Sequence, residues 1–166
     1  MYGGSVDAQT TQLPSILLAR VGKFTSSRFP GWRSCTNYDF IDGSRMLILW
    51  DGSRVNCDVL EIDSQHIHLR VTCKVTQVSF IVTFVYLVYC IVERRKLWDH
   101  LFLVGSALTL PWIIVGDFNC YSSSNDKVGG GALRPYDIKD LLDFRMALGL
   151  EDVVHLDKWL HLVQVR

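Results

Sequence analysis

Asp117 and Asn119 stand two residues apart in the nine-residue stretch PWIIVGDFN, residues 111–119. The β-branched run Ile113, Ile114, Val115 has the composition of a buried strand, and Gly116 reads as the sharp turn that ends it. If extended geometry persists past the glycine, side chains on either side of Phe118 point the same way. A carboxylate and an amide then share one small volume while Phe118 anchors the opposite face. Such a pair suits phosphate chemistry: the carboxylate orients a water or a metal ion, and the amide hydrogen-bonds a phosphoryl oxygen. Asp and Asn also favour turns that follow strands, where they cap their own backbone, so the plainer reading stays open beside the chemical one.

Several elements are needed to hold that strand. Strands are expected near Arg45–Trp50, Val55–Ile62, His66–Lys74 and Ser79–Tyr86, separated by turn-like DGSR (Asp42 and Asp51) and DSQ segments, which suits an antiparallel meander. Ile91–Val104 follows with apolar residues at 91, 97, 98, 101 and 104. The cluster Glu93, Arg94, Arg95, Lys96 between them is expected on the solvent side of an amphipathic helix. The Ser/Gly-rich stretch Tyr121–Gly131 reads as a loop. A second helix is expected from Ile138, Leu141, Leu142 and Met146, with Asp137 in its first turn and Gly149 at its end. The order is a mixed α/β layout.

With 166 residues, 49% of them hydrophobic and 20% charged, the chain has material for one domain with a real core. Seventeen basic and 17 acidic residues cancel, so no global positive field marks a nucleic-acid binder, although a local phosphate cleft does not require one. Cys35, Cys57, Cys73, Cys90 and Cys120 are scattered without a C-x-x-C pair. That argues against both a disulfide scaffold and a zinc site and for a reducing compartment. The N-terminal segment lacks the basic start and long apolar stretch of a secretory signal, so an intracellular protein, nuclear or cytoplasmic, is expected. Val75–Val92 carries no formal charge, yet its β-branched residues and polar Thr76, Gln77, Ser79 and Thr83 favour a buried strand over a membrane helix.

The motif resembles the endonuclease/exonuclease/phosphatase superfamily, the DNase I-like proteins, whose members carry GD-x-N at this place. Within it, the chain resembles the endonuclease domains of plant LINE-type, non-LTR retrotransposons. The likeness runs through FPGW (Phe29–Trp32), Asn37-Tyr38, SRMLILWD (Ser44–Asp51), QHIHLRV (Gln65–Val71), FVY (Phe84–Tyr86), ERRKLWDHL (Glu93–Leu101), PWIIVGDFN and DKVGG (Asp126–Gly130). Their order and spacing together carry the resemblance, which covers residues 17–153. It implies a partial α/β/β/α four-layer sandwich with mostly antiparallel sheets and outer helices, preceded by an irregular segment 1–16 and followed by a divergent tail 154–166. It also implies Asp117 as the residue that orients the attacking water, Asn119 as the holder of the scissile phosphate, and Tyr86 as a hydroxyl reaching that phosphate. Mg2+ or Mn2+ is the expected cofactor and DNA the ancestral substrate.

Two family groups have no counterpart. ILLARV (Ile16–Val21) places Leu18 where the resemblance implies a metal-binding glutamate, and neither His155 nor His161 stands in the SDH context of the family histidine. A site truncated at both ends is expected to be impaired or inactive, because acid–base help alone is worth on the order of 10²–10⁴ in rate. The alternative is a non-catalytic retroelement remnant that acts, if at all, as an interaction module, with self-association through uncovered sheet faces. His66 and His68 alternate on one strand, but no further ligand is evident beside them, so they read as surface or core-edge histidines and no metal ligand is assigned. Arg94, Arg95 and Lys96 read as a solvated helix face, with contact to a nucleic-acid backbone as the sharper option. Gly129–Gly131 lacks the Lys-Ser/Thr of a phosphate-binding loop and reads as a flexible segment.

Overall fold

The structure is a computed structural model. It describes the backbone of residues 13–40, 46–119, 135–152 and 161–164, and the side chains of residues 19–40, 46–119 and 139–152. The Asp42 turn, the 121–131 loop with its glycines, His155, and the side chains of Leu18, Ile138 and His161 lie outside that description.

The elements run α1 (Leu13–Arg28), β1 (Trp32–Thr36), β2 (Leu47–Asp51), β3 (Val55–Ile62), β4 (His66–Cys73), β5 (Ser79–Tyr86), α2 (Ile91–Ala107), β6 (Trp112–Asp117), α3 (Pro135–Leu148), β7 (Glu151–Asp152) and β8 (His161–Gln164). They form a six-stranded sheet ordered β3-β4-β5-β6-β8-β7 and a two-stranded sheet β1-β2. Every pairing is antiparallel except β5 with β6, which the α2 crossover makes parallel. The expected meander is therefore β3-β4-β5 only. The strand over residues 47–51 pairs with β1, because the Asp51 turn carries the chain from one sheet to the other. In that turn the Ser53 N–H donates to Asp51 Oδ1 at 2.8 Å.

Alternation along the strands sorts the core into two layers. Ile81, Val85, Trp112 and Ile114 meet Leu97, Trp98 and Leu101 of α2 and Leu141, Phe144 and Leu148 of α3. On the other face Ile67 and Leu69 pack with Met46, Ile48, Cys35, Phe84 and Tyr86 between the two sheets. Helices, a large sheet and a small sheet thus lie in succession, with α1 touching β1 through Phe24, Phe29 and Trp32. Asn37 ties the layers at one end: its amide donates to the Asp63 and Ser64 carbonyls at 3.1 and 2.9 Å, and its Oδ1 accepts from the Met46 N–H at 3.1 Å.

Two expectations shift. In α3 the buried residues are Leu141, Phe144 and Leu148, whereas Leu142 and Met146 are exposed. The core face of that helix is rotated from the expected one because Phe144 docks between Trp98 and Trp112. The stop at Gly149 (φ 61°) stands as expected. Gly116 does not end β6; it lies within the strand at φ 139°, where a Cβ would sit 1.9 Å from the Val85 carbonyl oxygen. Only glycine lets β5 and β6 approach there. Of Val75–Val92, residues 79–86 form β5, and among the described residues no helix is long and apolar enough to cross a membrane.

Candidate functional site

β5 and β6 finish side by side, with Tyr86 and Asp117 as register partners. Trp112 and Ile114 face the helices, so by alternation Asp117 faces the groove between the sheets, the side on which Tyr86 also packs. Extended geometry does not persist beyond Asp117, which corrects the reasoning that brought Asn119 alongside. Asn119 adopts φ 43°, its N–H donates to Asp117 Oδ1 at 3.0 Å, and its amide Nδ2 donates to the Leu87 carbonyl. The carboxylate and the amide are therefore joined by a turn rather than by strand alternation. Phe118 does anchor the opposite face, buried and stacked on Trp98 at 6.0 Å between centroids.

Sequence reasoning passed over two residues: Arg94, which holds this turn, and Gln65, which holds the adjoining end of β5. Arg94, expected on a solvated helix face, is buried and donates from its guanidinium to the Asn119 carbonyl. Its neighbours do reach solvent, Arg95 pairing with Asp140 at 3.0 Å and Lys96 with Glu93 at 2.8 Å. Gln65 bridges three segments: its carbonyl accepts from the Tyr86 N–H at 3.0 Å, its Oε1 from the Val88 N–H at 3.0 Å, and its Nε2 donates to the Glu93 carbonyl at 3.3 Å. Helical phase was the available signal for Arg94, since it lies three residues before Leu97 and four before Trp98.

Magnesium takes hard oxygen ligands, commonly one or two carboxylates completed by water and substrate phosphate. Among the described residues assigned to this groove Asp117 is the one carboxylate, and one of its oxygens already accepts the Asn119 N–H. This donor set fits such an ion only when phosphate oxygens and water complete the shell. ILLARV lies within α1.

The helix-facing side of the same sheet end holds a different group of donors. His66 is buried with neither ring nitrogen hydrogen-bonded, Glu61 Oε2 lies 3.6 Å from its Nε2, and His100 Nε2 of α2 meets the same carboxylate oxygen at 2.9 Å. One ligand atom from each residue lies within 4.8 Å of the other two. Sequence reasoning set His66 aside for want of companions; the sheet and the crossover helix supply them. His68 is not one of the group. Its Nδ1 lies 2.6 Å from Thr83 Oγ1, which also accepts the Trp112 Nε1–H at 2.7 Å, so the hydroxyl proton is available to a neutral imidazole. Burial pushes the His68 ring down to about 4, with a smaller push from neighbouring His66, and burial likewise lowers His66 against the pull of Glu61.

Burial raises the pKa of the Cys57 thiol, whereas hydrogen bonding to Thr76 lowers that of Cys73. Burial pushes Cys35 up to about 11, and Cys35, Cys57, Cys73 and Cys90 are free.

No protein-family model matches the sequence, and no curated protein does. Solved structures do. The endonuclease domain of TRAS1, a telomere-specific non-LTR retrotransposon, superposes with a TM-score of 0.57 at 11% identity, covering 87% of this chain and 77% of that one. The mannosyl-6-phosphatase of Bacteroides thetaiotaomicron gives 0.51 at 13% identity, covering 97% and 80%. The human Nocturnin catalytic domain gives 0.49 at 12% identity, and the chain spans 64% of that domain's length. The two-layered sheet core, the β5-α2-β6 crossover and the superpositions on the TRAS1 domain and the mannosyl-6-phosphatase agree: the chain has a mixed α/β, DNase I-like fold.

Proposed function

We propose that this chain carries part of a divalent-metal phosphodiesterase site of the endonuclease type, with weak catalysis of its own. The observation that supports the reading best is the register of Tyr86 with Asp117 at the ends of adjacent parallel strands, both facing the groove between the sheets. Strand ends of this kind are where α/β sheets place ligands. The Asn119 N–H fixes one Asp117 oxygen and leaves the other to orient a water toward phosphorus. One Asn119 amide proton is spent on the Leu87 carbonyl, and the second is left to donate to a phosphoryl oxygen. The Tyr86 hydroxyl supplies a further donor for charge developing on the phosphate. Asp117 would hold Mg2+ or Mn2+ together with substrate oxygens; when bound, such an ion neutralises phosphoryl charge. DNA is the proposed substrate, and a retrotransposon origin accords with both the sequence motifs and the likeness to a retrotransposon endonuclease domain. The plant LINE-type assignment rests on the motifs alone.

Magnesium-dependent nicking of supercoiled plasmid tests this reading. Slow nicking by the chain that Asp117→Ala abolishes is expected; no nicking, or equal nicking by both proteins, overturns catalysis. A second reading is an interaction module that self-associates. It is favoured by β3, which lies at the edge of the six-stranded sheet with Val59 and Leu60 exposed. Light scattering that finds a monomer at high concentration removes it.

A further inference from the structure

We propose that Glu61, His66 and His100 form a binding site for a divalent transition-metal ion of the zinc class, on the helix-facing side of the sheet and separate from the Asp117 groove.

The first support is His66. Its ring is 1% exposed, and both nitrogens lack a hydrogen-bond partner. A buried imidazole left that way costs free energy, on the order of 1–3 kcal/mol per unmatched polar group. Glu61 Oε2 is 3.6 Å from Nε2, too far for a hydrogen bond but suited to two ligands sharing one ion. Zinc bonds of about 2.0–2.2 Å to nitrogen and oxygen place neighbouring tetrahedral donors roughly 3.3–3.5 Å apart. The separations of Glu61 Oε2 from His66 and His100, 3.6 and 2.9 Å, bracket that spacing. Closing the site then takes side-chain adjustment of under about an ångström on those two edges.

The second support is the local backbone. β3 pairs with β4 as Val59↔Leu69 and then Glu61↔His68, with a bulge at the intervening Leu60. Regular pairing would have matched Glu61 with Ile67 and aimed its carboxylate into the apolar layer between the sheets. The bulge turns it instead onto the face that His66 and α2 share, which is a recurrent use of β-bulges.

Chemistry selects the ion. Two imidazoles with one carboxylate favour zinc, cobalt(II) or nickel over magnesium, and three protein ligands leave a position for water. Glu61 and His100 have side chains 39% and 40% exposed, so the ion has a path from solvent while His66 forms the floor. His66 Nδ1 stays unpartnered in either state, so the ion satisfies one of the two orphaned nitrogens.

Cobalt(II) and zinc(II) titrations of the chelator-treated full chain test the site. Expected are one equivalent of cobalt with tetrahedral visible bands, displacement by zinc, and a higher melting temperature with metal. His100→Ala and Glu61→Gln are expected to weaken binding by about tenfold or more each. His100→Cys is expected to keep it and add sulfur-to-cobalt charge-transfer bands. Absence of saturable cobalt binding to the parent chain, unchanged affinity in both weakening variants, or no charge-transfer bands with His100→Cys would each overturn the proposal. None of these readouts depends on phosphodiesterase activity.

Discussion

Where β5 and β6 finish, the two faces of the large sheet present donors of different character. The groove between the sheets receives Tyr86 and Asp117, oxygen donors on neighbouring strands followed by an amide in a turn. The helix-facing side receives two imidazoles and one carboxylate, drawn from β3, β4 and α2. The groove donors follow one another closely along β5, β6 and the adjoining turn, so a local motif can announce them. The nitrogen donors come from three elements separated by turns and a crossover, so only tertiary structure assembles them. One sheet end thus separates oxygen donors from nitrogen donors by the thickness of a backbone.

Gly116→Ala acts on both faces together. With φ 139° and a Cβ 1.9 Å from the Val85 oxygen, it is expected to cost about 3–5 kcal/mol and to pull β6 from β5. Urea unfolding measures the loss, and a cost below 1 kcal/mol on the order-of-magnitude scale of strained positions would show that the strand pair yields easily. Next comes pH on the helix-facing side. The folded His68 ring titrates near 4 against an ordinary value of 6.5, so the unfolded chain takes up the proton first. Its contribution is full above pH about 6.5 and lost as pH falls toward 4, on the order of 3 kcal/mol in total. The charges of His66, Glu61 and His100 act on the ring, so the comparison is with His68→Gln, whose unfolding free energy should fall less between pH 7 and pH 4.5 on the same scale.

The smallest effects separate two adjacent arginines. Arg94→Ala removes a buried donor from the Asn119 carbonyl and should cost about 1–3 kcal/mol, with loss of any nicking and retention of cobalt binding. Arg95→Ala breaks an exposed pair with Asp140 and should cost under about 0.5 kcal/mol. Equal destabilisation by the two, read from melting curves, would show that Arg94 does not hold the turn.

Much of the fold was legible because β-branched runs and turn residues act locally: 55–62 and 79–86 form strands over the expected residues, and Gly149 stops α3. The strand at 47–51 was legible as a strand but not as a member of the second sheet, since sheet membership depends on partners far along the chain. The helix phase of α3 failed for a related reason. Leu142 and Leu141 are equally apolar, and the aromatic cluster around Phe144 decided which was buried. At the site, Asp117 and Asn119 were visible as residue types, whereas their connection was not, because the left-handed backbone of Asn119 follows from the turn it makes with Asp117. Arg94 was hidden by its charge.

The strand order β6-β8-β7 has a consequence for assembly. β7 precedes β8 along the chain, yet among the described residues its sheet contact is to β8 alone, which also closes the free side of β6. During synthesis, β6 therefore waits with an open hydrogen-bonding edge until residues 161–164 emerge, and β7 cannot join the sheet first. Sheet closure is a late, non-local event, so the nascent intermediate is the state most exposed to mispairing and to chaperone capture.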